Sequence, residues 1–321
     1  MKAAVIGEKG IEIRDVPAPQ PKAGEILVKV RACGINRADL HMAAGHRHGP
    51  LGGLGAIGGM EFSGEVIEAG PGVSAYRPGD RVMCSGSASF AEQAVADAGR
   101  TYPIPDGMSF EQAAALPIAL QTMHDAIITN GAFKPGYAVL IQGASSGVGL
   151  MGMQIAKVKG ARLVIGSSTN PERRARLKEF GADLAIDSRD PGWVAEVLKA
   201  TGDGVDIIVD MVSGYVANQN LEATRVLGRI VSIGRLGGMR GPFEFDLHAR
   251  KRIWYIGASF RTRSIEEIRT ICRLTREDLW DDLTAGRLKM PLDRSFPLDE
   301  AAAALAHAQA NKHFGKITLT V

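Results

Sequence analysis

The segment from Val139 to Lys157 combines residue types and spacing that could bind a charged ligand. It reads VLIQGASSGVGLMGMQIAK, a short apolar run followed by a turn with Gly143, Gly147 and Gly149 and then by a helix-like sequence. Glycines permit a tight turn and a close approach of the backbone to a ligand. The N-terminus of the following helix would direct unpaired N–H groups and its positive dipole end at an anion such as pyrophosphate. The segment therefore predicts a dinucleotide-binding turn.

The match to the Gly-x-Gly-x-x-Gly motif is incomplete, because Ala144 and Ser146 stand where the first two glycines belong and only Gly149 remains. A tight strand-to-helix turn without a ligand is therefore the alternative interpretation. Residues 161–166 form the next predicted strand. It lies about 20 residues further on, where a dinucleotide-binding unit contacts the ribose. This spacing favours a dinucleotide-binding turn over a turn without a ligand.

The tip of this second strand lacks the Asp or Glu that would bind the ribose 2′-hydroxyl of NAD. Instead, residues 167–170 are Ser-Ser-Thr-Asn, and Arg173 and Arg174 follow. Guanidinium groups bind phosphate bidentately, so the tip predicts a 2′-phosphate and hence NADPH. The alternative is that Asn170 and Pro171 simply cap a helix whose first turn carries solvated arginines.

The composition is that of an ordinary soluble protein with two domains. The chain has 321 residues, of which 45% are apolar and 23% charged, and its net charge is +3. No basic module predicts a nucleic-acid partner, and no apolar run is long enough to span a membrane. The three cysteines, Cys33, Cys84 and Cys272, are few and far apart, so we expect no disulfide framework and a cytoplasmic location.

The pattern of apolar residues and turns changes along the chain. The first hundred residues predict a β-rich, barrel-like domain with strands at 26–30, 64–69, 81–84 and 90–95. Later residues alternate between strands and helices, which predicts an α/β domain with a doubly wound parallel sheet. Its strands are expected at 139–142, 162–166, 184–186, 206–210 and 229–233, and its helices at 171–180, 191–200 and 216–226. The C-terminal part predicts a strand at 254–260, helices at 264–286 and 299–311, and a last strand at 316–321.

Several longer motifs carry a resemblance that covers nearly the whole chain. They are RACGINRADLH (31–41), GGMEFSGEV (58–66), PGDRV (78–82), AALPIALQTMHDAI (114–127) and NKHFGKITL (311–319), together with the glycine-rich turn. The chain resembles the medium-chain dehydrogenase/reductase superfamily, and within it the zinc-independent quinone oxidoreductase (zeta-crystallin-like) branch. The resemblance implies a GroES-like β-barrel catalytic domain formed by residues 1–118 and 262–321. It also implies a Rossmann NADPH-binding domain at 119–261, with cofactor and substrate in the cleft between the two domains and a homodimer as the assembly.

Zinc-dependent relatives hold a catalytic zinc ion with a Cys and a His at positions where this chain has Asn36 and Met60. Only Glu61 remains of that ligand set, and the four-cysteine structural lobe of those relatives is missing. Zinc needs three or four ligands, so one carboxylate is too few and we expect no metal. Three nearby histidines are interpreted as polar loop residues near the substrate rather than as metal ligands: His41, His46 and His48.

The resemblance also implies the residues that contact the cofactor. They are Thr122 near the nicotinamide; Ser145, Ser146, Gly147 and Val148 at the pyrophosphate; Ser168, Thr169 and Arg173 at the adenosine 2′-phosphate; Ser188 near the adenosine; Gly234, Arg235 and Leu236 in the loop that passes the nicotinamide; and Asn311 and Lys312 in a C-terminal segment that closes on the cofactor. Ser188 stands where relatives place Tyr or His, so we expect its contact to be weaker or lost.

Two features bear on the substrate. Asn36 and Asp39 form the Asn-x-x-Asp signature of the branch, and Asp39 either holds a turn or takes part in the reaction. Related sequences carry tyrosines in the following loop, where this chain has His41 and Arg47. The glycine-rich loop 46–59 could admit an anionic or bulky acceptor, or it could simply be flexible.

No Ser, Tyr or Lys proton relay and no metal are evident in the sequence, which favours an acceptor that needs little polarisation. Quinones meet this condition, because they take a hydride readily and solvent can protonate the oxyanion product. We therefore predict an NADPH-dependent quinone oxidoreductase with Asn36 and His41 as candidate catalytic residues. Reduction of an activated C=C bond in an enone or enoyl thioester, with His41 as the proton donor, is the alternative. A non-catalytic NADPH-binding protein, like the crystallins of this branch, is a second alternative.

Overall fold

The computed structural model describes all 321 residues, and they form two compact units. The terminal unit contains both chain ends and comprises Met1–Ile118, Phe260–Thr284 and Met290–Val321. The central unit comprises Ala119–Ser259 and Ala285–Lys289. No helix is both long and apolar enough to cross a membrane.

The first part of the chain consists mainly of short strands. The strands are β1 (Lys2–Gly7), β2 (Gly10–Asp15), β3 (Glu25–Gly34), β4 (Arg47–His48), β5 (Leu51–Gly52), β6 (Glu61–Ala69), β7 (Arg81–Ser85), β8 (Gln93–Asp97) and β9 (Thr101–Pro103). The helices are α1 (Arg37–Ala43), α2 (Phe110–Ala114) and α3 (Pro117–His124), which continues as a π-helical segment, Asp125–Asn130.

Strands and helices then alternate along the central part of the chain. These elements are β10 (Ala138–Gln142), α4 (Gly147–Val158), β11 (Leu163–Ser167), α5 (Pro171–Ala175), β12 (Leu184–Ile186), α6 (Trp193–Thr201), β13 (Val205–Asp210), α7 (Ala217–Ala223), β14 (Thr224–Ser232), α8 (Phe245–Lys251) and β15 (Trp254–Gly257). The remaining elements are α9 (Ile265–Thr284), β16 (Leu292–Pro297), α10 (Ala301–Gln309) and β17 (Lys316–Thr320).

The main sheet of the terminal unit has the order β16-β17-β3-β6-β7-β9, and β8 also pairs with β3. Apolar side chains of these strands, such as Val28, Phe62, Val82 and Leu319, are packed into one core. β17 lies antiparallel to β3, with Thr318 opposite Gly34. The C-terminal strand therefore lies beside the end of β3, which leads into Asn36 and α1.

The central unit contains a six-stranded sheet of order β12-β11-β10-β13-β14-β15, and all its neighbouring strands are parallel. β10 is buried along its whole length, as expected for a parallel strand covered on both faces. In such a sheet the loops that follow the carboxyl ends of the strands lie along one edge. The predicted fold class, a GroES-like β-barrel domain with a doubly wound parallel sheet, is confirmed.

Several predicted element boundaries were wrong. The strand expected at 90–95 is β8 at Gln93–Asp97, and the strand expected at 254–260 ends at Gly257. The helix expected at 216–226 ends at Ala223, where β14 already begins, and Leu227 within that strand has a positive φ of 61°. The three cysteines are all free and buried.

Candidate functional site

The turn between β10 and α4 has the geometry of an anion site. Gly143 has φ of +80°, and its N–H donates to Ser167 Oγ at 2.9 Å. Ser146 caps α4, because its Oγ accepts the N–H of Gly149 at 3.1 Å. A Cβ on Gly149 would lie 2.7 Å from Ala144 Cα, so only glycine allows this close packing of helix on turn. Ser146 thus takes over a position that the motif gives to glycine.

Two backbone N–H donors in the first turn of α4 are available to a ligand. The backbone N–H groups of Gly147 and Val148 have no hydrogen-bond partner in the chain. They lie at the positive end of the helix dipole, where a pyrophosphate is stabilised. Ser145 Oγ is 3.0 Å from Ser168 Oγ, so the turn is linked directly to the tip of β11.

The tip of β11 brings together most of the residues expected at a 2′-phosphate. Ser168 is buried, Thr169 is exposed and Arg173 is half-buried. Asn170 Oδ1 accepts the N–H of Arg173 at 2.9 Å with Pro171 at the first helical position, so this segment caps a helix, as the alternative interpretation predicted.

Arg174 is bound within the chain at this tip. Its Nη1 donates to the backbone oxygen of Ser168 and to Asp187 Oδ2, both at 2.8 Å. Asp187 directly follows β12, the strand that neighbours β11 in the sheet. Arg174 neutralises it.

Ser188 is buried, and its Oγ lies 3.3 Å from Tyr215 Oη. Tyr215 is 40% exposed, and the guanidinium of Arg189 lies 5.6 Å from its ring centroid. Sequence reasoning missed Tyr215. The sequence signal that could have pointed to Tyr215 is an aromatic residue directly after a Ser-Gly pair near the end of β13. In the structure Ser213 and Gly214 both have positive φ, and the chain turns sharply there.

The loop after β14 is attached to the end of β13. Gly234 N–H donates to the oxygen of Asp210 at 3.2 Å, and a Cβ on Gly234 would lie 2.7 Å from the oxygen of Met211. The N–H of Leu236 donates to that same Met211 oxygen at 3.1 Å. Arg235 and Leu236 are both exposed, so this loop presents one charged and one apolar side chain.

A buried chain of hydrogen bonds connects the carboxyl ends of three neighbouring strands. Ser167 Oγ donates to Gln142 Oε1 at 2.6 Å, and Gln142 Nε2 donates to Asn220 Oδ1 at 2.9 Å. Asn220 Nδ2 donates in turn to Asp210 Oδ2 at 3.0 Å. Burial raises the pKa of Asp210, while hydrogen bonds from Ser213 and its neighbours oppose this shift. The network fixes the loops that carry the candidate cofactor residues.

Asn36 lies in a buried polar cluster of the terminal unit. Its Nδ2 donates to Glu61 Oε1 at 2.8 Å, and its Oδ1 accepts from Lys316 Nζ at 2.7 Å. Lys316 Nζ also donates to Glu61 Oε1, and both charged side chains are buried. A Cβ on Gly34 would lie 2.6 Å from Glu61 Oε1, so the cluster requires glycine there. Sequence reasoning missed Lys316, although a charged residue at the start of an apolar strand was a visible signal.

Asp39 and His41 lie on α1 in different surroundings. Asp39 Oδ2 accepts the backbone N–H of Asn36 at 2.7 Å, which holds the start of the helix. Burial raises the pKa of Asp39 to about 7, although that hydrogen bond and the charge of Lys316 lower it. His41 is exposed near the end of α1. The structure thus supports the turn-holding interpretation of Asp39.

The residues around Asn36 do not fit a catalytic zinc ion. No three His, Cys, Asp or Glu side chains lie close enough together to hold a metal. Glu61 is the one potential ligand left at the position used by zinc-dependent relatives, and the Lys316 ammonium is bound to it. A cation there would be repelled by Lys316. His48 lies apart from this cluster, and its pKa is lowered by burial and by the charge of Arg261.

Three further predicted cofactor residues lie within or after helices α3 and α10. Thr122 is half-buried in α3, one turn before the π-helical segment. Such segments occur frequently at functional sites. Asn311 and Lys312 follow α10 in the terminal unit, where Asn311 has φ of +52° and accepts from Arg37 Nη2 at 3.4 Å. Thr122 and the residues predicted at the pyrophosphate, at the 2′-phosphate and at 234–236 all lie in the central unit.

Two regions of the chain match known families. Residues 22–106 match the alcohol dehydrogenase GroES-like domain, and residues 147–277 match the zinc-binding dehydrogenase family. The quinone oxidoreductase of Rattus norvegicus is 30% identical over 90% of this chain and 87% of its own length. The synaptic vesicle membrane protein VAT-1 homolog of Homo sapiens is 30% identical over 96% of this chain and 82% of its own length. The chain belongs to the medium-chain dehydrogenase/reductase superfamily.

Solved structures of this superfamily cover the chain completely or almost so. A mycobacterial protein complexed with NADPH superimposes with a TM-score of 0.88 at 27% identity, covering 100% of both chains. The CurK enoyl reductase superimposes with a TM-score of 0.86 at 26% identity, covering 99% of this chain and 98% of its own. The chain is therefore an oxidoreductase of the superfamily, and its central unit has the architecture that takes a nicotinamide cofactor.

Proposed function

We propose that this protein transfers a hydride from NADPH to a quinone without the help of a metal ion. The observation that carries the choice of NADPH is the ion pair between Arg174 and Asp187. It neutralises the carboxylate that follows β12, and the same Arg174 guanidinium donates to the backbone oxygen of Ser168 at the tip of β11. A 2′-phosphate is compatible with that arrangement, whereas NAD-specific proteins keep an unpaired acid for the 2′-hydroxyl.

The chain's own residues bind and orient the reactants. The free N–H groups of Gly147 and Val148 hold the pyrophosphate, and Ser168 and Arg173 hold the 2′-phosphate. When bound, the nicotinamide supplies the hydride. The Lys316 ammonium is paired with the Glu61 carboxylate, so Glu61 is not available as a metal ligand. Without a metal ion to polarise it, the acceptor must be one that accepts a hydride readily. A quinone is such an acceptor, and solvent supplies the protons to its oxyanion.

Reduction of an activated C=C bond is the second candidate. It is supported by the likeness to an enoyl reductase and by exposed His41, which is the candidate proton donor. Turnover assays following NADPH and NADH absorbance with quinones, enones and enoyl thioesters test the proposal. Robust enoyl-thioester reduction with negligible quinone reduction would replace the first candidate by the second.

The proposal includes a homodimer formed through the edge of the central sheet. β15 is one of the two edge strands of this sheet, and its Trp254 is 56% exposed. Long apolar side chains beside an unpaired strand edge favour pairing with another chain. Val226, Leu227 and Phe245 are further exposed apolar residues of the same unit. The three unpaired cysteines support a reducing compartment, and we propose the cytoplasm.

A further inference from the structure

A buried ion pair lies directly beside Asn36 in the terminal unit, and hydride transfer from NADPH does not by itself explain it. Lys316 is 4% exposed and Glu61 is fully buried. Burial of two charges is unfavourable unless they are paired and hydrogen-bonded, and a buried ion pair is weak evidence for stability. What distinguishes this pair is the single polar side chain that contacts both of its members.

All donors of the ammonium and both oxygens of the carboxylate are engaged. Lys316 Nζ donates to Glu61 Oε1, to Asn36 Oδ1 at 2.7 Å and to the backbone oxygen of Ile35 at 3.2 Å. Glu61 Oε2 accepts the backbone N–H of Ile118 at 2.9 Å. The pair is therefore held at both ends by backbone groups and is rigid where it meets Asn36.

The ion pair determines which way the Asn36 amide points. Oδ1 of Asn36 faces the ammonium, and Nδ2 donates to the carboxylate at 2.8 Å. Turning the amide by half a revolution would bring its NH₂ group against Lys316 and its oxygen against Glu61, and both contacts would be repulsive. An asparagine Nδ2 carries two hydrogens. One is bound to Glu61, so the second is the remaining donor of the side chain.

We infer that Lys316 and Glu61 are positioning residues that fix Asn36 so that its second Nδ2 hydrogen donates to the carbonyl oxygen of the acceptor. This inference rests on the proposed function, since it needs an acceptor with a carbonyl group. The ammonium on Oδ1 polarises the amide and strengthens this donor as negative charge develops on the acceptor oxygen. Asn36 transfers no proton: the hydride comes from the cofactor and the proton from solvent.

A set of four proteins tests this assignment: the wild type, Asn36→Ala, the neutral pair variant Glu61→Gln/Lys316→Met, and the triple variant. A hydrogen bond to a charged group is worth about 1.5–3 kcal/mol, so we expect Asn36→Ala to lower kcat/KM for a quinone by about ten- to a hundredfold. The pair variant should show a similar loss because its amide can turn. The triple variant should lose no more than Asn36→Ala alone.

Equal losses of kcat/KM in the triple variant and in Asn36→Ala would separate a positioning role of the ion pair from a merely structural one. Affinity for NADPH, measured by its fluorescence, should stay at the wild-type value in all four proteins. Lys157→Met/Asp183→Asn, which removes an exposed ion pair of the central unit, is the matched control and should leave kcat/KM unchanged. Losses that multiply in the triple variant, or a pair variant with wild-type kcat/KM, would overturn the inference. If the pair variant does not fold, Lys316→Gln takes its place in the same comparison.

The proposed function and the positioning role fail in different ways. A wild type that reduces enones but not quinones refutes the first proposed reaction, and the same four proteins are then compared with the enone. Non-additive losses there still support the role of Lys316 and Glu61. A wild type that reduces no carbonyl acceptor overturns both.

Discussion

Replacing Arg173 by Ala is the sharpest test of cofactor choice. Arg173 lies at the start of α5, one turn after Ser168, and its guanidinium is the one we assign to the 2′-phosphate. A hydrogen bond to a charged group is worth about 1.5–3 kcal/mol, so the variant should bind NADPH about ten- to a hundredfold more weakly. Because Arg173 is half-buried rather than enclosed, we expect the loss to fall toward the lower end of this range. NADH lacks the phosphate, and its affinity should barely change.

The assay is an equilibrium titration of both cofactors at fixed ionic strength, followed by nicotinamide fluorescence. Arg176→Ala is the matched control, because Arg176 is an exposed arginine of the next turn and pairs with Glu179 at 3.4 Å. It should leave both affinities unchanged. Equal losses of NADPH and NADH affinity in Arg173→Ala would refute the assignment of its guanidinium to the 2′-phosphate.

The neighbouring arginine provides a second, opposite test of the same reasoning. Arg174→Met would remove the ion-pair partner of the Asp187 carboxylate, which under our proposal lies within reach of the ribose. NADPH should then bind more weakly because of charge repulsion, whereas NADH should bind as well as before or better because a carboxylate can accept from its 2′-hydroxyl. An unchanged ratio of the two affinities would show that Asp187 lies outside the reach of the ribose.

The remaining predictions concern metal, assembly and the proton donor. Elemental analysis of the purified protein should give substoichiometric zinc, and stoichiometric zinc with chelator-sensitive turnover would contradict the reading of the Lys316 cluster. Trp254→Asp should convert a dimer to a monomer in sedimentation. Ile265→Asp, which changes an exposed apolar residue of the terminal unit, should leave the dimer intact. A Trp254→Asp variant that remains dimeric would exclude β15 as the dimer contact. His41→Ala should lower quinone turnover only modestly, well below the 10²–10⁴-fold loss of a general acid, while enone reduction should fall by that larger factor if His41 is its donor.

The parallel sheet was predictable because its strands are short apolar runs buried on both faces. β10, β11, β12 and β13 lie within one or two residues of their predicted bounds. The boundaries that failed depend on interactions that no local pattern contains. β14 starts early because its first residue, Thr224, pairs with Val205 of β13 before the bulge, although the preceding sequence still has helical character. The edge strand β16 was not predicted, because most of its side chains are exposed.

The candidate site divides in the same way. The turn between β10 and α4 was predictable because glycine positions and a helix cap are local features of sequence. The partner of Arg174 was not, because Asp187 follows a different strand and comes near only through sheet order. Lys316 and Asn36 are 280 residues apart and meet because β17 pairs with β3. Long-range pairing of this kind leaves no signal in spacing, so the sequence showed Glu61 as a lone carboxylate.

Asp39 offers a last prediction, which distinguishes holding a turn from taking part in the reaction. Burial raises the pKa of Asp39 to about 7, against an ordinary value of about 3.9 in an unfolded chain. Glu61 raises it further, and Lys316 and the N–H of Asn36 lower it. The folded protein therefore holds this proton more tightly than the unfolded chain. Its contribution to stability is largest below pH 4 and is lost as the pH rises toward 7.

Two measurements test whether the pKa of Asp39 is raised and whether its contribution to stability falls as the pH rises. A resonance of the Asp39 carboxyl carbon, assigned by its absence in Asp39→Asn, should titrate near pH 7. The difference in thermal midpoint between wild type and Asp39→Asn should change between pH 4 and pH 7 and stay constant above pH 7. Asp299→Asn is the control, because it removes an exposed carboxylate bound to Lys2. Its difference in thermal midpoint from wild type should not change between pH 4 and pH 7. If Asp39 only holds the start of α1, kcat/KM for the quinone survives in Asp39→Asn, because an amide oxygen can still accept the N–H of Asn36. A hundredfold loss of kcat/KM with normal NADPH affinity would instead place Asp39 in the reaction.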